Sequence, residues 1–325
     1  MDIPQGMTDK DSQKFDDTLL DQALVYPDWF KLGLGDLNDD ISDARAAGKF
    51  GIIVYFGQAR CAYCEKFFIG LTDSTIEHYL REHFDVIPVD IWGIEEFIDT
   101  DGNSYTEREL ALRYKTDFTP SLVFYDRNGK PVYRLRGYYP PYQFRAVLHY
   151  VAEGYYRTEK FRDYLQRAEP GLFFTSGELI ERDFFISPPY DLERKNQVSD
   201  KALAVIFEQA SCHACELLHT GPLSQDEILR EIANMDVVQL NLFADTEVIT
   251  PGGKLTTAKQ WGKDLELFYT PSIILFSPAG NEIMRVDSVV QFYRLWGVLD
   301  YVNKRVYDDG IDYQSWRLQQ RETIE

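Results

Sequence analysis

Two Cys-x-x-Cys pairs, Cys61-Ala62-Tyr63-Cys64 and Cys212-His213-Ala214-Cys215, hold all 4 cysteines of the 325-residue chain, and they stand 151 positions apart. The same interval separates Thr119-Pro120 from Thr270-Pro271, and Val147-Leu148-His149-Tyr150-Val151 from Val298-Leu299-Asp300-Tyr301-Val302. Between these anchors Gly70 aligns with Gly221, Asp85 with Asp236, Gly102 with Gly253, Gly129 with Gly280 and Arg134 with Arg285. One ungapped register held from the cysteines to the last helix marks a tandem duplication. At roughly 150 residues per domain, the length accommodates two copies. Ala168-Glu169-Pro170-Gly171 supplies the breaker between them. The expected organisation is an N-terminal extension over residues 1–30, a first domain over 31–168 and a second over 169–325.

Each copy reads alike. Ile52-Ile53-Val54-Tyr55-Phe56 and Leu203-Ala204-Val205-Ile206-Phe207 are short continuous apolar runs, the pattern of a strand covered on both faces. The cysteine pair then opens a helical stretch, followed by a second strand at Phe84–Val89 or Val237–Leu240. Thr106 and Thr257 read as helix N-caps. After each Thr-Pro comes a strand, Ser121–Tyr125 or Ser272–Phe276. A turn ending in Gly129 or Gly280 leads to a partner strand, and an amphipathic helix closes the copy. The fold class is α/β: a mixed central sheet flanked by helices, repeated twice.

With 44% hydrophobic and 27% charged residues the chain has ordinary globular composition. It contains no apolar run of the ~18 residues that a membrane-spanning helix needs. The 34 Lys and Arg against 53 Asp and Glu leave a net charge of −19, which repels nucleic-acid backbones and anionic membrane faces. Met1 to Asp11 lacks the basic start and apolar run of a secretory signal. The expected location is periplasmic or secreted with the signal removed, the cytoplasm being the alternative.

Two cysteines separated by two residues at a helix start can close as a disulfide or open to two thiols with little backbone change. The first sulfur lies beside unpaired N–H groups and the positive helix end, which favour its anion. Cys61 and Cys212 are therefore the expected nucleophiles, and Cys64 and Cys215 the more buried resolving partners. Arg60, before Cys61, and His213, after Cys212, stabilise a neighbouring thiolate, whereas Glu65 and Glu216 oppose it. Repetition at a fixed offset from the cysteines marks Thr119-Pro120 and Thr270-Pro271 as cis links beside the sulfurs. Their backbones would bind an extended substrate segment as an added strand.

These residues together resemble the thioredoxin superfamily. The likeness rests on the strand before each dithiol, the two Cys-x-x-Cys pairs, the Thr-Pro pairs and the ending Gly137-Tyr138-Tyr139-Pro140 with Phe144, Leu148 and Tyr150. It is closer to SoxW-like and periplasmic Dsb-type proteins than to cytosolic thioredoxin, and Cys61-Ala62-Tyr63-Cys64 with Thr119 resembles the disulfide isomerase branch. Two tandem thioredoxin-like domains are implied, acting as a thiol-disulfide oxidoreductase that reduces, forms or isomerises disulfides of a dedicated protein or sulfur-containing partner. A redox partner protein is implied as well, with no cofactor beyond the redox-active disulfides and no metal site. The sequence departs from thioredoxin six residues before the first cysteine, where Tyr55 and Ile206 replace a buried acid.

A carrier or chaperone for a soft metal (Cu or Zn), using the same sulfurs, is the alternative function. A third reading makes one half catalytic and the other a docking scaffold. Elsewhere, Tyr63 reads as an exposed aromatic that contacts partners, simple packing being the alternative, and His78, His83, His149 and His219 as surface residues. Tyr138, Tyr139, Tyr142, Tyr155 and Tyr156 read as a packing cluster, and the acidic run Asp36–Asp43 as a solvated helix start.

Overall fold

The computed structural model describes residues 14–174, 177–196 and 199–322. The chain divides into two compact units between Tyr164 and Leu165. The first is organised around β1 (Gly51–Gly57), a run of aliphatic and aromatic residues without a charge, buried at every position. Such residues suit an inner strand covered on both sides. Its alternation sends Ile52, Val54 and Phe56 into a core with Leu37, Ile41 and Ala44 of α1 (Leu37–Ala46). Ile53 and Tyr55 thus point to the opposite face.

Beyond β1 come α2 (Ala62–Leu71), α3 (Ser74–His83), β2 (Phe84–Asp90), the short strands β3 (Glu96–Ile98) and β4 (Ser104–Thr106), and α4 (Glu107–Arg113). β5 (Ser121–Asp126), β6 (Pro131–Arg136), α5 (Pro141–Ala152) and α6 (Phe161–Ala168) complete the series. The sheet order is β2-β1-β5-β6, with β1 parallel to β2 and the other pairs antiparallel. β3 and β4 form a separate hairpin.

The second unit repeats the plan. A short strand β7 (Tyr190–Asp191) precedes β8 (Ala202–Glu208), α7 (His213–Thr220), α8 (Asp226–Ile232), β9 (Met235–Asn241), β10 (Glu247–Ile249) and β11 (Leu255–Thr257). α9 (Ala258–Asp264), β12 (Ser272–Phe276), β13 (Glu282–Val286), α10 (Phe292–Asn303) and α11 (Tyr313–Glu322) follow. The sheet runs β13-β12-β8-β9, and β7 adds to the β10–β11 hairpin. Leu203, Val205 and Phe207 join a core with Val238, Leu240, Trp261 and Ile274, while Ala204, Ile206 and Glu208 face the other way.

Several repeated residues acquire local reasons. Thr106 caps α4 in a capping box with Glu109, and Thr257 caps α9 through the Gln260 N–H. Gly129 and Gly280 sit at φ +77° and +82° in the turns before β6 and β13, a region that costs a residue with a Cβ. The single helix expected after each dithiol is in fact two. Asp73 caps a new helix by accepting from the Thr75 N–H at 2.8 Å, and Gly221-Pro222 ends α7. Of the expected tyrosine cluster, Tyr138 and Tyr139 are buried, while Tyr155 packs on Tyr164 and Tyr156 on Phe50.

The acidic start of α1 is not wholly solvated. Asp36 caps the helix, and Asp39 and Asp43 are exposed, but Asp40 is fully buried because it falls on the face of α1 that carries Leu37, Ile41 and Ala44. It accepts the Leu34 N–H at 3.3 Å. Burial lifts its pKa from 3.8 to about 6, against the opposing pull of the Leu34 N–H and Lys31. The folded state thus holds this proton more tightly than the unfolded chain. The associated stability is complete below about pH 4 and is lost as the pH rises through about 6. Asp40→Asn, which keeps an acceptor for Leu34, is expected to raise stability at about pH 8 by up to ~3 kcal/mol, at about 1.4 kcal/mol per pKa unit. The gain shrinks toward about pH 5. Thermal unfolding of both proteins across this range is the check.

Candidate functional site: two dithiols at helix N-termini

Each dithiol sits where an inner strand ends and a helix begins. Cys61 is the N-cap of α2, with extended backbone (φ −103°, ψ 105°), and its Sγ accepts the N–H of Cys64 at 3.0 Å. Cys212 caps α7 in the same way (φ −102°, ψ 101°), accepting from Cys215 N–H at 3.1 Å. Sulfur here occupies the place that a Ser or Asp oxygen takes in an ordinary cap. Both pairs are closed as disulfides, with Cα–Cα distances of 5.1 and 5.2 Å. Exposure ranks the cysteines within each pair: 5% for Cys61 against 1% for Cys64, and 8% for Cys212 against 3% for Cys215.

Sheet register brings the Thr-Pro pairs to the sulfurs. Ser121 pairs with Phe56 and Ser272 with Phe207, so the residues just before β5 and β12 lie beside the loops leaving β1 and β8. Both Thr119-Pro120 and Thr270-Pro271 are cis. Thr119 Oγ1 lies 3.3 Å from Cys61 Sγ. Thr270 Oγ1 lies 3.6 Å and its carbonyl oxygen 3.7 Å from Cys212 Sγ.

The charged neighbours divide. Arg60 is exposed and gives its Nε–H to the Leu20 carbonyl, on a segment whose Leu20 and Leu24 amides bond the Arg60 and Ala59 carbonyls. His213 and Glu216 are both exposed and stand 3.5 Å apart, so when His213 is protonated each offsets the other's field at Cys212. Glu65 is half-buried in the first turn of α2.

Two expectations about side chains are overturned. Tyr63 is not an exposed aromatic: it is 4% exposed and its hydroxyl donates to Asp17 at 2.9 Å, because the N-terminal segment covers it. His219 is not a surface residue but fully buried, on the inner face of α7. His83 and His149 are partly buried against the Tyr79 ring, and of these four histidines His78 alone is strongly exposed.

Gln58 and Gln209 escaped the sequence reading. Each precedes its first cysteine by three positions and donates from Nε2 to the Thr hydroxyl, at 2.9 Å to Thr119 and 3.0 Å to Thr270. Gln58 Oε1 also accepts from Trp92 Nε1, whereas Gln209 binds the Leu172 carbonyl and the Phe174 N–H. The 151-residue register carried the signal, since the two glutamines align in it. Among the described residues no group of three or more His, Cys, Asp or Glu could hold a metal ion.

The Thioredoxin-like domain family matches the chain twice, over residues 37–152 and 190–303, and the chain belongs to that family. A thioredoxin-fold protein from Helicobacter pylori is 31% identical over 38% of this chain and 81% of its own, with a TM-score of 0.32. A thioredoxin from Thermus thermophilus is 29% identical over 35% of this chain and 81% of its own (TM-score 0.27). The C-terminal domain of Neisseria meningitidis DsbD is 17% identical over 32% of this chain and 81% of its own (TM-score 0.26). A comparison with curated proteins finds no match. Two thioredoxin-like domains, each with a Cys-x-x-Cys closed as a disulfide, define a thiol-disulfide oxidoreductase in general class.

Gln209→Leu leaves the Thr270 hydroxyl, the Leu172 carbonyl and the Phe174 N–H without this partner. A loss of about 1–3 kcal/mol in unfolding free energy is expected. Amide hydrogen exchange at Phe174 should accelerate, whereas an unchanged exchange rate there would refute the clamp.

Proposed function

We propose that both dithiols are active sites that exchange disulfides with a protein or small sulfur-containing partner, each recharged by a redox partner protein. Cys61 and Cys212 are the nucleophiles, and Cys64 and Cys215 resolve the mixed disulfide. One observation carries this reading: in each unit the more exposed cysteine caps a helix, and its Sγ receives the N–H of its more buried partner. In the reduced protein the same N–H and the helix end favour a thiolate, the species that attacks disulfides. Thr119-Pro120 and Thr270-Pro271 lie beside these sulfurs, where a substrate backbone would dock. The reading includes an oxidising, extracytoplasmic setting, in which closed dithiols are the resting state.

Replacing only the resolving sulfur should stop the reaction halfway. Cys64→Ser and Cys215→Ser are each expected to accumulate about one mixed disulfide per altered site when the reduced protein meets a disulfide-containing peptide, because the nucleophile stays and its exit does not. Cys61→Ser and Cys212→Ser should form far less. Non-reducing mass spectrometry distinguishes these outcomes, and equal trapping by both classes of variant would refute the assignment.

Glu216 also yields a signed expectation. Removing its charge with Glu216→Gln stabilises the Cys212 thiolate, so the second disulfide becomes a stronger oxidant. An exposed charge near a helix start is worth about 0.3–1 kcal/mol. The rise in potential is therefore about 5–20 mV, at about 30 mV per 1.4 kcal/mol. Redox titration with the first dithiol removed measures it, and a fall would contradict the electrostatic account.

A further inference from the structure

The two dithiols are covered to different extents. No residue of the first motif, Cys61 to Cys64, is more than 5% exposed. In the second motif the cysteines are buried as well, but His213 between them is exposed and Ala214 partly so. The cover on the first motif comes from residues 17–24. The Leu24 N–H bonds the Ala59 carbonyl at 2.7 Å, and the Leu20 N–H bonds the Arg60 carbonyl at 3.3 Å. Arg60 returns its Nε–H to the Leu20 carbonyl, and the Tyr63 hydroxyl donates to an Asp17 carboxylate oxygen at 2.9 Å. The segment therefore holds the chain on both sides of Cys61, at 59 and 60 before it and at 63 after it.

That hold is shallow. Downstream the chain is anchored, because the Tyr26 ring packs on Tyr55 and Phe68, and buried Phe30 packs on the same two rings. From residue 17 to residue 25, by contrast, nothing is buried, and Val25 is 84% exposed. A stretch kept down by a few surface hydrogen bonds, with its apolar anchor at one end, opens locally at far lower cost than the domain unfolds. Its sequence, Asp17-Thr18-Leu19-Leu20-Asp21-Gln22-Ala23-Leu24, carries two acids and three leucines, and it lies against the cation of Arg60.

The second unit replaces the residues that make this hold. In the 151-residue register Arg60 aligns with Ser211 and Tyr63 with Ala214, neither of which offers the same donor. Where Tyr55 and Phe68 anchor the first segment, the second unit has Ile206 and a buried His219, bonded to Glu208 at 3.0 Å with Arg182 donating to the ring. Its Leu172 carbonyl and Phe174 N–H bond the Gln209 side chain instead.

We propose that residues 17–24 are a cover acting in cis on the first dithiol. Through Ala59, Arg60 and Tyr63 they occupy the surface on which that site takes an acidic, leucine-bearing polypeptide, so a protein disulfide reaches Cys61 only when the cover lifts. The second dithiol is not gated in this way. The inference rests on the oxidoreductase reading above. Once the cover has lifted, the Cys61 thiolate attacks the partner's disulfide. One partner sulfur bonds to Cys61, and the other leaves as a thiolate. The cover alters only the fraction of molecules able to dock a polypeptide, and the observed rate scales with that fraction.

The test uses the full-length chain with the second dithiol silenced (Cys212→Ala with Cys215→Ala) and the first reduced. It is mixed either with dithiobis(nitrobenzoate) or with a cysteine peptide joined by a disulfide to thionitrobenzoate. The first coloured thionitrobenzoate released reports attack by Cys61. Leu20→Pro with Leu24→Pro removes both backbone donors, each worth roughly two- to tenfold in the covered population. The peptide reaction should quicken at least about fivefold in that variant and at least about twofold in Asp17→Ala. Reaction with the small disulfide, which needs no docked chain, should change by less than about twofold. A synthetic peptide of residues 17–25, at about the millimolar effective concentration of a short tether, should slow both loosened chains again. The same substitutions should leave the second dithiol unaffected when the first is silenced (Cys61→Ala with Cys64→Ala). A peptide rate unchanged in both variants, an equal gain with the small disulfide, or no slowing by the added segment would overturn the proposal. Asp17→Ala decides the matter if the proline variant misfolds. Absence of thionitrobenzoate release from either dithiol with either probe would instead sink the oxidoreductase reading.

Discussion

A single N–H···S contact ties the fold of each unit to its chemistry. The backbone of Cys61 or Cys212 must be extended to cap its helix, and that conformation turns Sγ toward the first free amides. The inner strand, buried at every position, fixes where the cap begins, and the antiparallel pairing of β1 with β5 and of β8 with β12 delivers a Thr-Pro to the same spot. Displace the cap and the sulfur loses the N–H that favours its anion. Shift the register by one residue and the strand turns its buried side chains to the opposite face, taking the site with them.

The glutamine clamp extends this logic. Gln58 and Gln209 spend one donor on the Thr hydroxyl beside the sulfur, yet their other bonds differ: an indole in the first unit, and the backbone of Leu172 and Phe174 in the second. The shared half of the clamp faces the site, and the variable half binds a different part of the chain in each unit, the Trp92 indole in the first and the Leu172–Phe174 backbone in the second. In the first unit a separate N-terminal segment covers Tyr63, whose hydroxyl donates to Asp17.

What could be read in the chain, and what could not, follows from the range of the interactions. The duplication, the inner strands, the dithiols and the Thr-Pro pairs are legible because each depends on local sequence repeated at one interval. Tyr63, His219 and Asp40 were misread because their burial depends on segments distant in sequence: residues near 17, the strand end at Glu208 with Arg182, and the loop at Leu34. A residue type gives an average exposure, whereas these three positions lie on helix faces turned inward. The short hairpins β3–β4 and β10–β11 were missed for a related reason, since strands of three residues carry no readable period.

The first unit serves as an internal control for the buried charges of the second. Both units form the same four-stranded sheet and the same capped dithiol, and the first does so with Gly57, Tyr55 and Phe68 where the second has Glu208, Ile206 and His219. The fold therefore does not require the ionic network. Nor does stability explain it, because desolvating a carboxylate and a guanidinium offsets most of what their pairing returns, and apolar packing of similar volume does as well or better. A network that the fold can omit, set one helical turn behind one of two equivalent dithiols, is where two copies of one plan differ most in buried charge.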